Sequence, residues 1–143
     1  MTIARILATK GRHVSTTQAH RTLSEALALL AAHNIGALVV SDSQGAVLGI
    51  LSERDIVRAL GKAGASALDD VVSKHMTAKV TTTTEGECVS AAMEKMTNQR
   101  FRHLPVVSEG RLVGLVSIGD LVKYRLAEME QQHQAMREYI ATA

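Results

Sequence analysis

The sequence has one cysteine, one proline, no tryptophan, two tyrosines and one phenylalanine among its 143 residues. A single thiol, Cys88, excludes an internal disulfide framework and a cysteine-built zinc site. The scarcity of rings excludes the stacking platforms that hold single-stranded nucleic acids. No apolar run approaches the ~20 residues that cross a bilayer. The opening Met1-Thr2-Ile3-Ala4-Arg5 lacks the basic segment and long apolar core of a signal peptide, so a cytoplasmic protein is expected. An excess of one charge is also missing. Sixteen basic residues against fourteen acidic ones leave +2, with the signs interspersed. That is not the basic stripe of a nucleic-acid binder, and neither nucleic acid nor membrane is expected as a partner. What the chain does have is 46% hydrophobic residues and 21% charged ones, enough for a folded domain with an aliphatic core.

The chain also contains itself twice. Val14-Ser15-Thr16-Thr17 returns as Val80-Thr81-Thr82-Thr83, 66 residues later. At that spacing Ser24 meets Ser90, Ala26 meets Ala92, Leu38 meets Leu104 and Val40 meets Val106. One residue is lost in the next turn. Gly49, Ser52, Asp55 and Val57 then meet Gly114, Ser117, Asp120 and Val122. Identities that recur in order with one gap indicate two halves built on one plan.

Each half reads as strand, helix, strand, strand, helix. Val14–Thr17 and Val80–Thr84 are candidate first strands. In the first half Leu23, Ala26, Leu27, Leu30 and Ala31 repeat at helical spacing behind a capping box of Thr22 and Glu25. Val89, Ala92, Met93 and Met96 take that face in the second half, with Cys88 as a weaker cap. Hairpins follow, Ala37–Ser41 with Ala46–Leu51 and His103–Val107 with Arg111–Ser117, and helices close the halves from Asp55 and Asp120. A short helical leader opens each half, Thr2–Leu7 ending at Gly11, and Asp69–Val72. Gly61–Ser66 reads as a linker. The expected fold is α+β: two β-α-β-β-α repeats, each a marginal folder alone, packed about a pseudo-two-fold axis with clefts between them.

The strongest local pattern is Gly49-Ile50-Leu51-Ser52-Glu53-Arg54-Asp55, which returns as Gly114-Leu115-Val116-Ser117-Ile118-Gly119-Asp120. The plain reading is a helix cap, with serine at the N-cap and aspartate at the third helical position. The functional reading puts both side chains at a cleft mouth. There a carboxylate accepts from vicinal ribose hydroxyls and the helix N-terminus favours a phosphate. The two readings are compatible. Neither a histidine cluster at metal-ligand spacing nor a nucleophile with its base is evident, so no metal and no catalysis are expected, and Cys88 reads as ordinary packing.

These motifs, together with Asn34-Ile35-Gly36-Ala37-Leu38-Val39-Val40 and Arg102-His103-Leu104-Pro105-Val106, resemble the cystathionine-beta-synthase (CBS) domain family. The resemblance covers the chain as a tandem pair, residues 1–62 and 66–126, with 127–143 as a helical extension. It implies a regulatory module for an adenine nucleotide, AMP, ADP, ATP, NAD or S-adenosylmethionine, held between the repeats and signalling by conformational change to a regulated partner. Carried over position by position, it implicates Thr16 and Thr82 on the first strands. It implicates Asn34, Ile35, Gly36 and Ala37 before the second strand of one half, and Arg100, Phe101, Arg102, His103 and Pro105 in the other. Ser52 and Ser117 sit at the helix starts, and Asp55 and Asp120 would hold ribose. Arg54 would face phosphate, but Gly119 takes its place in the second half, so the two clefts are expected to differ. Lys10, Arg12, His20 and Lys79 are further basic candidates. Taken singly, Arg100, Arg102 and His103 also read as solvated surface, Phe101 as core, and Pro105 as a strand edge.

Beyond the second repeat, Val122, Leu126, Met129, His133, Met136 and Ile140 step by four and three, with Glu128, Glu130, Arg137 and Glu138 off the seam. This predicts a helix that pairs with a second copy, enlarging a homodimer of the disc-like kind the resemblance implies. The leading functional expectation is a nucleotide sensor. The alternative is a CBS-domain scaffold that no longer binds ligand.

Overall fold

A computed structural model describes residues 1–142. The elements in chain order are α1 (Ile3–Lys10), β1 (Thr16–Thr17), α2 (Leu23–His33), β2 (Ala37–Ser41), β3 (Val47–Ser52), α3 (Glu53–Ala63), a 3-10 helix (Gly64–Asp69), α4 (Val72–His75), α5 (Val89–Gln99), β4 (His103–Ser108), β5 (Arg111–Ser117) and α6 (Ile118–Thr142). The duplicated α+β plan is present, with the long C-terminal helix appended.

Local rules set most of the boundaries. The Thr22 hydroxyl accepts from the Glu25 amide at 3.1 Å, and Glu25 returns a bond to the Thr22 amide, so α2 starts on a complete capping box. Ser52 and Asp55 do the same for α3, and Ser117 and Asp120 for α6. Cys88 starts α5 without any side-chain cap, and its thiol is exposed rather than packed. Thr2 stands at the N-cap of α1 but makes no side-chain cap bond. On α2 the buried face is Leu23, Ala26 and Leu30, while Leu27 and Ala31 are exposed.

Two expectations need correction. The first half has a three-stranded sheet, β1-β2-β3, but the second has only β4-β5. Its expected first strand is reduced to one parallel bridge, Thr83 with Val106. The cause is Pro105. In the first half the Val39 amide donates to the Ser15 carbonyl at 3.3 Å. Pro105 stands at the equivalent place in β4 and has no N–H to donate, so the ladder stops after the two Thr83 bonds, each 2.9 Å. The second correction is Gly61–Ser66. It is not an open linker: α3 runs through Ala63 and passes directly into the 3-10 helix. Buried Ala67 anchors that turn against the first core.

The leaders trade places. Ile3, Ile6 and Leu7 of α1 belong to a core with Val89, Ala92, Met96, Leu104, Val106, Val116 and Leu121, all of the second half. Ala67 and Val72, which open the second half, are buried with Leu23, Leu38, Leu51 and Ile56 of the first. Each half therefore closes its core with the other's leader, which ties the pair together. The close approach needs glycine. A Cβ at Gly49 would lie 2.7 Å from the Thr77 carbonyl oxygen, and one at Gly114 would lie 2.8 Å from the Leu7 methyls.

Candidate functional site

The capping box that starts α3 also builds the site. Asp55 Oδ2 accepts from the Ser52 amide at 2.9 Å and from the Ser52 hydroxyl at 3.1 Å. The chain turns sharply from β3 into α3 here, so this carboxylate stands at the rim of a cleft of about 280 Å³ between the halves. One wall is the start of α3, with Glu53, Arg54, Asp55 and Arg58. The facing wall is Arg100, Phe101, Arg102 and His103 at the entrance to β4. Gly36, Ile50, Thr77 and Val80 lie between them, and the Gly36 carbonyl accepts from the Glu53 amide at 2.9 Å.

Several expected site residues converge here: Gly36, Ser52, Arg54, Asp55, Arg100, Phe101, Arg102 and His103. Others lie elsewhere. Ala37 and Pro105 are buried in β2 and β4. Asn34 caps α2 in the left-handed conformation, and Ile35 packs on the first core. Thr16 lines a separate hollow with Arg21, Glu25 and Asp42. The Thr82 carbonyl receives Lys95 at 3.4 Å. Sequence reasoning missed Arg58, although its position one turn after Arg54 on the same helix face was the available signal.

The second half repeats the capping box but not the opening. Ser117 donates its amide to Asp120 Oδ2 at 2.9 Å. The same oxygen is held by the Lys10 ammonium at 2.5 Å, and that ammonium also reaches the Leu115 carbonyl at 2.7 Å. In the first half the corresponding carbonyl, Ile50, is bonded by the Thr77 amide at 2.9 Å. The backbone does there what the Lys10 side chain does in the second half, and Asp55 enters no ion pair among the described residues. Asp120 faces a different groove, about 600 Å³, between α1 and α6.

Burial alone would raise the Asp120 carboxyl, but the Lys10 ammonium and the Ser117 amide outweigh it and hold the group below its ordinary value. His103 is lowered by burial first, then by the Lys10 and Arg102 charges, with Asp120 opposing. An unfolded chain therefore takes up the His103 proton before the folded one does. That stabilising contribution is present at neutral pH and is lost as pH falls below about 6.5. Imidazole NMR signals should show His103 titrating below the ordinary histidine value, with Lys10→Met moving its midpoint upward. An unmoved midpoint would contradict an influence of the Lys10 charge on His103.

The sequence pattern of the CBS domain matches twice, over residues 10–62 and 69–127. The chain belongs to the CBS-domain family. It is 43% identical over 123 residues to an uncharacterized 17.7 kDa protein of Acidianus ambivalens, spanning 82% of this chain and 73% of that one. It is 37% identical to the mitochondrial CBS domain-containing protein CBSX3 of Arabidopsis thaliana, over 83% of this chain and 60% of that one. Among solved structures, the CBS-domain containing protein ATU1752 of Agrobacterium tumefaciens superposes with a TM-score of 0.83 at 45% identity, covering 87% of this chain and 99% of that one. The CBS domain pair of protein MJ0100, solved with 5'-methylthioadenosine and S-adenosyl-L-methionine, superposes with a TM-score of 0.80 at 27% identity, covering 90% and 98%.

Proposed function

We propose that this CBS pair is a regulatory module, not an enzyme, that binds an adenine nucleotide in the cleft at Asp55. The observation that carries the reading is the contrast between the two aspartates. Among the described residues Asp55 bonds its serine cap and enters no ion pair, whereas Asp120 is held by Lys10. A free carboxylate at a cleft rim accepts both hydroxyls of a ribose, and the basic wall opposite suits phosphate. Adenosyl ligands in the MJ0100 pair support the ligand class. AMP, ATP and NAD(H) all carry the adenosine this site would hold. Because the cleft walls come from different halves, a ligand that prefers one arrangement of the halves shifts their equilibrium by its differential affinity. A regulated partner would read that shift.

The same reading includes a homodimer. On α6, Leu126, Met129 and Met136 are 61%, 57% and 58% exposed, so the seam is not folded back on its own chain. His133 lies on the same exposed stretch. A second copy of the helix covers this stripe, and sedimentation at micromolar protein should give a dimer.

Calorimetry with AMP, ATP, NADH and S-adenosylmethionine tests the nucleotide reading. The expected result is one site per chain for at least one of them. Heat from none at millimolar ligand would leave the scaffold alternative in its place.

A further inference from the structure

The Asp55 cleft carries more positive charge than a ribose and one phosphate use. Arg54, Arg58, Arg100 and Arg102 all line it. Six ion pairs are present among the described residues, and none includes any of these four guanidiniums. Arginines elsewhere do find carboxylates: Arg12 pairs with Glu85, and Arg21 with Glu25 at 3.0 Å. Two acids, Asp55 and Glu53, line the same cleft, but neither forms an ion pair with these arginines, and the lining keeps an excess of positive side chains. Asp55 is turned to the Ser52 amide and hydroxyl, and Glu53 makes no ion pair.

The placement of the four is directional. Arg54 and Arg58 stand one turn apart on α3, a rise of about 6 Å along the axis. Arg100 and Arg102 face them from the other half, and Arg100 is held in the left-handed conformation (φ 58°) that ends α5. A ligand whose ribose is held at Asp55 and whose first phosphate meets the start of α3 would therefore leave guanidiniums unmatched unless its anion continued along the helix. Guanidiniums form bidentate, charge-assisted bonds with phosphate oxygens. A sulfonium ligand would bring a further cation into the same space.

Resting on the nucleotide reading above, we infer that the Asp55 cleft selects nucleotides with two or more phosphates, the chemical class of ADP, ATP and the dinucleotides. It selects against nucleoside monophosphates and against S-adenosylmethionine. Arg58 is the specificity-determining residue, because it lies one turn beyond the helix end that a first phosphate occupies.

The experiment is calorimetry of the full chain with adenosine, AMP, ADP, ATP and S-adenosylmethionine, repeated with Arg58→Gln. The expected order has ADP and ATP about tenfold or more tighter than AMP, and S-adenosylmethionine weakest. Arg58→Gln should weaken ADP and ATP more than AMP, and AMP more than adenosine, so that ADP and ATP move towards AMP. Raising the salt should weaken ATP more than AMP. Equal affinities for AMP and ATP, or tighter binding of S-adenosylmethionine, overturn the inference and leave the nucleotide reading standing. An Arg58→Gln loss shared equally by adenosine would mark a structural role and also overturn it. Binding of none of the five defeats the nucleotide reading itself.

Discussion

Asp55→Ala is expected to weaken nucleotide binding by roughly ten- to a hundredfold, through loss of charge-assisted bonds to both ribose hydroxyls. Asp120→Ala should leave that affinity nearly unchanged, although the sequence presents the two aspartates as equivalents. The difference lies in Lys10, whose ammonium sits 2.5 Å from Asp120 and has no counterpart at Asp55. Alanine at residue 55 also removes half of a capping box, at about 1 kcal/mol of stability. Asp55→Asn separates the two effects, since an amide oxygen still accepts from the Ser52 amide but carries no charge. It should melt close to the parent and still bind weakly. Lys10→Met is the complement. With the ammonium gone, Asp120 is free to accept a ribose, and calorimetry should find a second, weaker site per chain. Equal losses from Asp55→Ala and Asp120→Ala would count against the asymmetry.

The largest effect on stability is expected from Gly49→Ala, about 3 kcal/mol, out of a total that rarely exceeds 15. The added methyl would meet a backbone oxygen, Thr77 O, at 2.7 Å and Met76 Sδ at 2.9 Å. Relief requires the second half's leader to move off β3, breaking the two Ile50–Thr77 bonds of 3.0 and 2.9 Å. Gly114→Ala is the internal control. Its methyl meets first the Leu7 methyls at 2.8 Å, side-chain rather than backbone atoms that can turn aside at some packing cost, so about 1–2 kcal/mol is expected. Thermal melts should place Gly49→Ala roughly 10 °C below the parent and below Gly114→Ala. The reverse order would mean that the leader contact at Gly49 is not the tight one.

Much of this could be read from the residues. The repeat announces itself in paired identities, and the hairpins and capping boxes follow from local chemistry that acts within a few positions. Ser52 with Asp55 needed no tertiary knowledge. What was hidden depends on contacts between distant parts of the chain. Ile3, Ile6 and Leu7 show that α1 has an apolar face, but nothing local shows that this face belongs to the second half. Lys10 and Asp120 are 110 positions apart, so their bond is invisible to any pattern. The missing strand was legible in principle. Pro105 lacks the donor that Val39 supplies, but seeing the consequence required aligning the parallel ladder of one half onto the other. The glycines at residues 61 and 64 suggested a loop, and a single buried residue, Ala67, overrode them.

The most direct test is an amide NMR titration of the full chain with ATP. If nucleotide seats between the halves as argued, the shifting signals are those of Ser52 to Arg58 and Arg100 to His103, from both walls together, while the outer turns of α6 stay still. Shifts confined to the groove between α1 and α6, or a spectrum unchanged at millimolar ATP, would contradict the account.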